Sequence, residues 1–280
     1  MINNNKKNKG FMKNSKVKRG RPRKNQTFVG QEVKRFKPAL VKMDDLSFNK
    51  DLFVPTKLGN KMDSLLSSDG GMMKGVNLAF VGDPGVGKST VLLDILSDLK
   101  AKGQKVLFIS GEMNSIDLFG FVKRFPKFGQ LDILFMGDFI GKDPMVILKS
   151  VLSEGWDTVL IDSMAEVCTN IVDFHGGTNK NAESQVLNLL ETHNKGENKA
   201  KLNTTFLIIQ QVTKGGEFAG SNRFKHMLTG MFHLKFDIDS SRCIFFSKNR
   251  RGGQMDKLFF SLESGKNVKW LFTEPHNMAV

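Results

Sequence analysis

Tyrosine is absent from the 280 residues, and 24 phenylalanines dominate the aromatic content. The core is therefore expected to be rich in Phe. Only two cysteines occur, Cys168 and Cys243, in mixed or apolar surroundings and without a CxxC neighbour. This argues against a disulfide framework or a cysteine zinc site and points to a reducing cytosol. His175, His193, His226, His233 and His276 lack metal-ligand spacing and read as surface or packing residues. No apolar run approaches the roughly 18 residues that span a bilayer. The charged N-terminus is not followed by the apolar stretch of a secretory signal. Residues 1–30 contain no Asp or Glu but ten Lys or Arg, so of the +14 net charge only +4 is left for the other 250 residues. A block of like charges resists collapse, so residues 1–35 are expected to be a disordered basic tail suited to a polyanion.

What is present is the pattern of an α/β core. Hydrophobic residues make up 40% of the chain, enough to bury a core of this size. Residues 36–75 read as a lead-in with a flexible Ser67-Ser68-Asp69-Gly70-Gly71. Residues 76–270 then alternate short apolar strands with helical spacing, and 271–280 read as a C-terminal tail. Strands are expected at 76–81, 105–109, 133–136, 158–161 and 205–209. Helices are expected at 90–100, from Pro144 behind an Asp143 cap to about Glu154, and at 182–193. From Phe232 the spacing changes to successive short strands at 232–236, 243–246 and 258–262. Alternating strands and helices imply a mostly parallel sheet flanked by helices, ending in antiparallel strands.

One motif carries chemistry. Gly82-Asp83-Pro84-Gly85-Val86-Gly87-Lys88-Ser89 fits G-x-x-x-x-G-K-[ST] between a strand and a helix that opens at Thr90. Glycines let backbone N–H groups turn inward to phosphate oxygens, and the helix adds its positive end. Lys88 is expected to reach the β- and γ-phosphates of ATP, with the Ser89 hydroxyl on Mg²⁺. Asp162 ends the apolar strand Thr158-Val159-Leu160-Ile161 and is the second candidate metal group, because ligands gather at the carboxyl edge of a parallel sheet. Glu112, just past Phe108-Ile109-Ser110-Gly111, could orient the water that attacks the γ-phosphate. Gln211, after the 205–209 strand, could sense that phosphate, with Gln210 as its rival. Phe119, Phe121, Phe125 and Phe128 are expected to pack inside or against a neighbouring subunit.

Phe108-Ile-Ser-Gly-Glu112, Ile161-Asp-Ser163, Val212-Thr-Lys-Gly-Gly-Glu-Phe-Ala-Gly220 and Lys248-Asn-Arg-Arg-Gly252 together resemble the RadA (Sms) branch of the RecA/DnaB superfamily over roughly residues 50–265. The resemblance implies a RecA-like fold and a ring-forming, DNA-stimulated ATPase of recombination, repair or replication, with helicase or branch-migration activity. Glu112 would be the catalytic glutamate and Gln211 the polar sensor. Lys248 and Arg250 would reach the ATP of the adjacent subunit. Segments 169–182 and 213–225 would line a channel for single-stranded DNA, with Arg223 and Lys225 on phosphates. The family's four-cysteine zinc module and Lon-like domain are not expected here. Arg251 stands where the branch has Phe, and Ser221 where it has Pro. Glu112-Met113 is also similar to DnaB-type helicases. A compact core with such ends would suit a phage-encoded version acting in a host cytoplasm.

In the tail, Arg19-Gly20-Arg21-Pro22-Arg23-Lys24 resembles an AT-hook. Its arginines could lie in a narrow A·T minor groove, while other lysines add phosphate contacts. A competing class of function is a DNA-binding protein whose nucleotide site is a regulatory switch. A P-loop kinase fits less well, given the basic tail, the Lys248–Gly252 segment and the lack of an Arg-rich lid.

Overall fold

The structure is a computed structural model that describes residues 39–211, 220–254, 256–263, 265 and 267–271. The chain divides into two units, residues 1–47 and 48–280. In the first, the described residues carry a short 3-10 turn at Met43–Asp45. The AT-hook-like residues Arg19 to Lys24, the segment 212–219 and the tail from 272 lie outside the described residues.

The second unit begins with α1 (Met62–Leu66) and β1 (Asn77–Gly82). There follow α2 (Lys88–Ala101), β2 (Val106–Ser110), α3 (Ser115–Arg124), β3 (Asp132–Phe135), α4 (Pro144–Ser153) and β4 (Thr158–Asp162). The chain continues through α5 (Met164–His175), α6 (Asn179–Asn194), β5 (Thr205–Gln210), α7 (Asn222–Met227) and β6 (Gly230–Phe236). It ends with β7 (Arg242–Asn249), β8 (Leu258–Ser261) and β9 (Lys269–Leu271).

The nine strands form one sheet in the order β3-β2-β4-β5-β1-β6-β7-β8-β9. Pairing is parallel from β3 through β6 and antiparallel from β6 to β9. The strands β1, β2, β4 and β5 are buried along their whole length, as expected where both faces are covered. Alternate side chains feed two apolar layers. Leu78, Phe80, Phe108, Leu160 and Leu207 face α1, α2 and α3. Ala79, Val81, Ile109, Val159, Ile161, Phe206 and Ile208 face α4, α5 and α6. Phe80 and Phe232 stack at 5.0 Å across the first layer, so the Phe-rich composition is used in the core. Phe125 and Phe128 are buried and stack at 5.1 Å, whereas Phe119 is 72% exposed.

Three features differ from the expectation. Residues 48–75 contribute Met62, Leu65, Leu66, Met72 and Met73 to the first layer. α3 is closed by a capping box, in which Asn114 accepts from Ile116 and Asp117 while Asp117 accepts from the Asn114 N–H. The stretch 169–182, to which no helix was assigned before Ala182, is mostly helical: the end of α5, a Gly176-Gly177-Thr178 link and the start of α6. Its pattern explains this. Met164, Val167, Cys168 and Ile171 fall on one buried face at helical spacing. Ser163 and Thr178 cap the two helix starts by accepting from Glu166 N and Asn181 N.

Candidate functional site

The glycine-rich turn leaves β1 where the sheet is crowded. A Cβ on Gly82 would run into the Leu234 backbone carbonyl of β6, so no larger residue fits there. Gly87 is the N-cap of α2 at φ 101°, a left-handed conformation that favours glycine. No side chain caps this helix start. The first-turn N–H groups of α2 therefore face the turn without intrahelical partners, which makes an anion-binding end.

Lys88 folds back over the turn and donates to the carbonyls of Gly82 (2.8 Å) and Asp83 (2.9 Å). Burial lowers its pKa, against the charges of Asp162, Asp83 and Glu112. Ser89 Oγ donates to Asp162 Oδ2 at 2.6 Å, joining residues 73 positions apart. Burial pushes the Asp162 carboxyl up to about 6; the Ser89 hydrogen bond opposes the rise, Glu112 adds to it, and Lys88 opposes it. The Asp162–Ser163 peptide is cis.

Glu112 reaches the same place through its loop. Ser110 is paired with Asp162 in the β2–β4 register. The Ser110 hydroxyl donates to Met113 O at 2.7 Å and accepts from Met113 N at 3.2 Å, which holds the 110–113 turn. Glu112, Lys88, Ser89, Thr90 and Asp162 line one open cavity of about 680 Å³ with Gly82, Pro84, Gly85 and Gly87. Gln211 also lines it. Gln210, one residue earlier and so on the opposite face of the sheet, is buried and lines a separate hollow beside Cys168 and Glu183.

The far end of the cavity was not foreseen from the sequence. Phe121 and Arg124 of α3, and Phe125 just after it, line the cavity together with Arg242 and Leu262. The Arg124 guanidinium lies 4.8 Å from the Phe121 ring centroid. Arg242 Nε is buried and has no hydrogen-bond partner among the described residues. The Arg242 guanidinium lies 5.3 Å from the Phe236 ring centroid. Neither arginine sits in a sequence motif; they come to one cavity only through the fold.

The remaining candidates lie elsewhere. Lys248 Nζ donates to Lys225 O at 2.6 Å, and Arg250 donates to His226 O at 2.8 Å; neither lines the cavity. Arg223 donates to Asn188 Oδ1 at 2.6 Å on the surface. Among the described residues, no group of three or more His, Cys, Asp or Glu is placed to hold a metal ion alone, and no helix is long and apolar enough to cross a membrane.

The strand order, the turn wrapped at the head of α2 and the Ser89–Asp162 pair define a P-loop domain of the RecA-like fold. The fold is shared with a KaiC-like protein of the archaeon Pyrococcus horikoshii, at a TM-score of 0.58 and 15% identity over 78% of this chain and 99% of that one. In sequence the core is similar to proteins named DNA repair protein RadA. The Campylobacter jejuni protein is 28% identical over 208 residues, 72% of this chain and 43% of the relative. That of Aquifex aeolicus is 27% identical over 194 residues, 69% and 41%. That of Chlamydia trachomatis is 26% identical over 225 residues, 80% and 47%. The chain thus spans less than half the length of these relatives. No family model matches it.

Proposed function

We propose that this chain is an ATP-hydrolysing, DNA-stimulated motor domain of DNA repair or recombination. The observation that carries the reading is the convergence of Lys88, Ser89, Asp162 and Glu112 on one cavity beneath the glycine-rich turn. Similarity to proteins named for DNA repair supports the biological setting.

In this reading the N–H groups from Gly85 to Thr90, with Gly82, Asp83, Pro84, Val86 and Gly87 shaping the turn, receive the phosphates. Lys88 leaves the Gly82 and Asp83 carbonyls for the β- and γ-phosphate oxygens. The Ser89 hydroxyl and the Asp162 carboxylate, already bonded to each other, suit a hard cation that also keeps water and phosphate ligands, as Mg²⁺ does. When bound, Mg²⁺ neutralises charge developing between the β- and γ-phosphates. Glu112 accepts a proton from the attacking water, and Gln211 reports on the γ-phosphate. Phe121, Phe125 and Leu262 offer apolar faces to the base, and the Arg124 and Arg242 guanidiniums offer donors.

Lys88 and Glu112 act within one subunit, whereas Lys248 and Arg250 serve the nucleotide of the next subunit in a ring. Arg223 and Lys225 contact single-stranded DNA phosphates in its channel, and residues Arg19 to Lys24 hold A·T-rich duplex. Helicase or branch-migration activity in the cytoplasm, at the nucleoid, follows from this assembly.

The test is the ATP hydrolysis rate with and without single-stranded DNA, for the full chain and for a form lacking residues 1–30. Stimulation that survives the truncation supports a motor in the core. Hydrolysis indifferent to DNA would favour a regulatory nucleotide switch instead.

A further inference from the structure

Strand β7 ends at Lys248-Asn249 and runs on into Arg250-Arg251, and the side chains along this stretch alternate between two neighbours. Asn249 turns to α1 and donates to Leu65 O (3.2 Å) and Leu66 O (3.0 Å). Lys248 and Arg250 turn the other way and donate to Lys225 O and His226 O, in the last turn of α7. Those are carbonyls that a helix end leaves without intrahelical donors, and the negative end of a helix favours cations. The other end of α7 is also held from outside, since Ser221, its N-cap, donates through Oγ to the carboxylate of Glu183 on α6. This six-residue helix is too short to persist unaided. Buried Phe224 and Leu228 anchor the helix in the second apolar layer, and the last-turn carbonyls of Lys225 and His226 are met by two long side chains from the end of β7.

Both cations have an alternative use in the proposed motor, at phosphates of an adjoining copy. Burial and the nearby Arg250 charge lower the Lys248 pKa, and a triphosphate would relieve that crowding more fully than two neutral carbonyls. One side chain cannot do both. We propose that Lys248 and Arg250 form a cap on α7 within their own subunit that is given up when they engage the nucleotide of the next copy, so that nucleotide in one subunit loosens α7 in its neighbour. The inference rests on the nucleotide reading above. It adds a physical link between that nucleotide and the helix carrying Arg223 and Lys225.

Hydrogen–deuterium exchange on the full chain, without DNA, tests it. Without nucleotide, Lys248→Met and Arg250→Gln should each speed exchange of the 222–229 amides roughly tenfold, the loss of one charge-assisted hydrogen bond. Lys248→Arg, which keeps a donor, should stay close to the parent. A non-hydrolysable ATP analogue with Mg²⁺ should speed the same amides in the parent, while slowing those of 85–89. The Lys248→Met and Arg250→Gln variants should show no further acceleration in 222–229. Slowed 85–89 amides with unchanged or slower 222–229 amides would overturn the proposed release alone. An unresponsive 85–89 segment would overturn the release and the nucleotide reading together. Unchanged exchange in both variants without nucleotide would overturn the cap.

Discussion

At the phosphate end of the cavity, charged and polar side chains meet one another. Ser89 bonds Asp162, and Lys88 and Glu112 stand in their field. At the β7–α7 corner, the cations meet backbone carbonyls instead, and little else fixes them. The first region is locked by elements that cannot slide: a glycine turn with no room for a Cβ, two parallel strands in register and a buried helix. The second is anchored by buried Phe224 and Leu228, but its helix-end carbonyls are met by flexible side chains that can let go. A fixed site suits chemistry that requires a standing geometry, and a releasable contact suits a part that changes partners.

Substitutions can separate the two regions, and the largest effect is expected in the fixed one. Glu112→Gln should lower ATP turnover by about 10²–10⁴-fold, the usual range for losing a general base, while Mg²⁺-ATP binding measured by calorimetry persists. Loss of binding with loss of turnover would make Glu112 a structural residue of the loop.

The next effect concerns the support beneath the cavity. Asp94, buried in α2, accepts from Lys127 at 2.6 Å and from Val268 N at 3.1 Å. Burial raises its pKa against the Lys127 hydrogen bond and charge. Lys127→Met should cost roughly 3 kcal/mol in urea unfolding, as when one partner of a buried ion pair is removed.

Asp162 shows what its own position costs. Its pKa stands near 6 in the folded chain against 3.8 for the free group, so the fold favours the protonated carboxyl. Stability of the nucleotide-free chain should therefore fall as pH rises from about 4 through 6 and stay lower above that window. Asp162→Asn should remove this dependence and raise stability at pH 7 by on the order of 2 kcal/mol, while losing Mg²⁺-dependent turnover. Unchanged stability between pH 4 and 7 in the nucleotide-free parent would refute that account of the site.

The smallest effect is expected at the exposed corner. Arg223→Ala should leave stability within about 0.5 kcal/mol and lower the salt slope of DNA affinity by about 1. An unaltered slope would remove Arg223 from the DNA surface.

Much of the fixed region was legible in the sequence. The glycine turn, the strand ending in Asp162 and the Pro144 helix start each follow from a local rule, and β4 and α4 appear within one residue of the expected bounds. Helices α3 and α5 were not anticipated, although Asn114 with Asp117 and Ser163 with Glu166 are local caps. The helical spacing of Met164, Val167, Cys168 and Ile171 marks the buried face of α5. Arg124 and Arg242 were out of reach for a different reason: they are 118 positions apart and line one cavity only once the chain has folded. The contacts of Lys248 and Arg250 with α7 were equally hidden, because their acceptors are backbone carbonyls that no side-chain pattern marks.

The central claim is that the turn ahead of Ser89 and the carboxylate of Asp162 serve one Mg²⁺-nucleotide. Steady-state ATP hydrolysis by the full chain and by Lys88→Ala, each with and without single-stranded DNA, tests it most directly. The parent should hydrolyse ATP only with Mg²⁺ and faster with DNA, and the folded variant should not turn over in either condition. Equal rates for the two proteins would contradict the account.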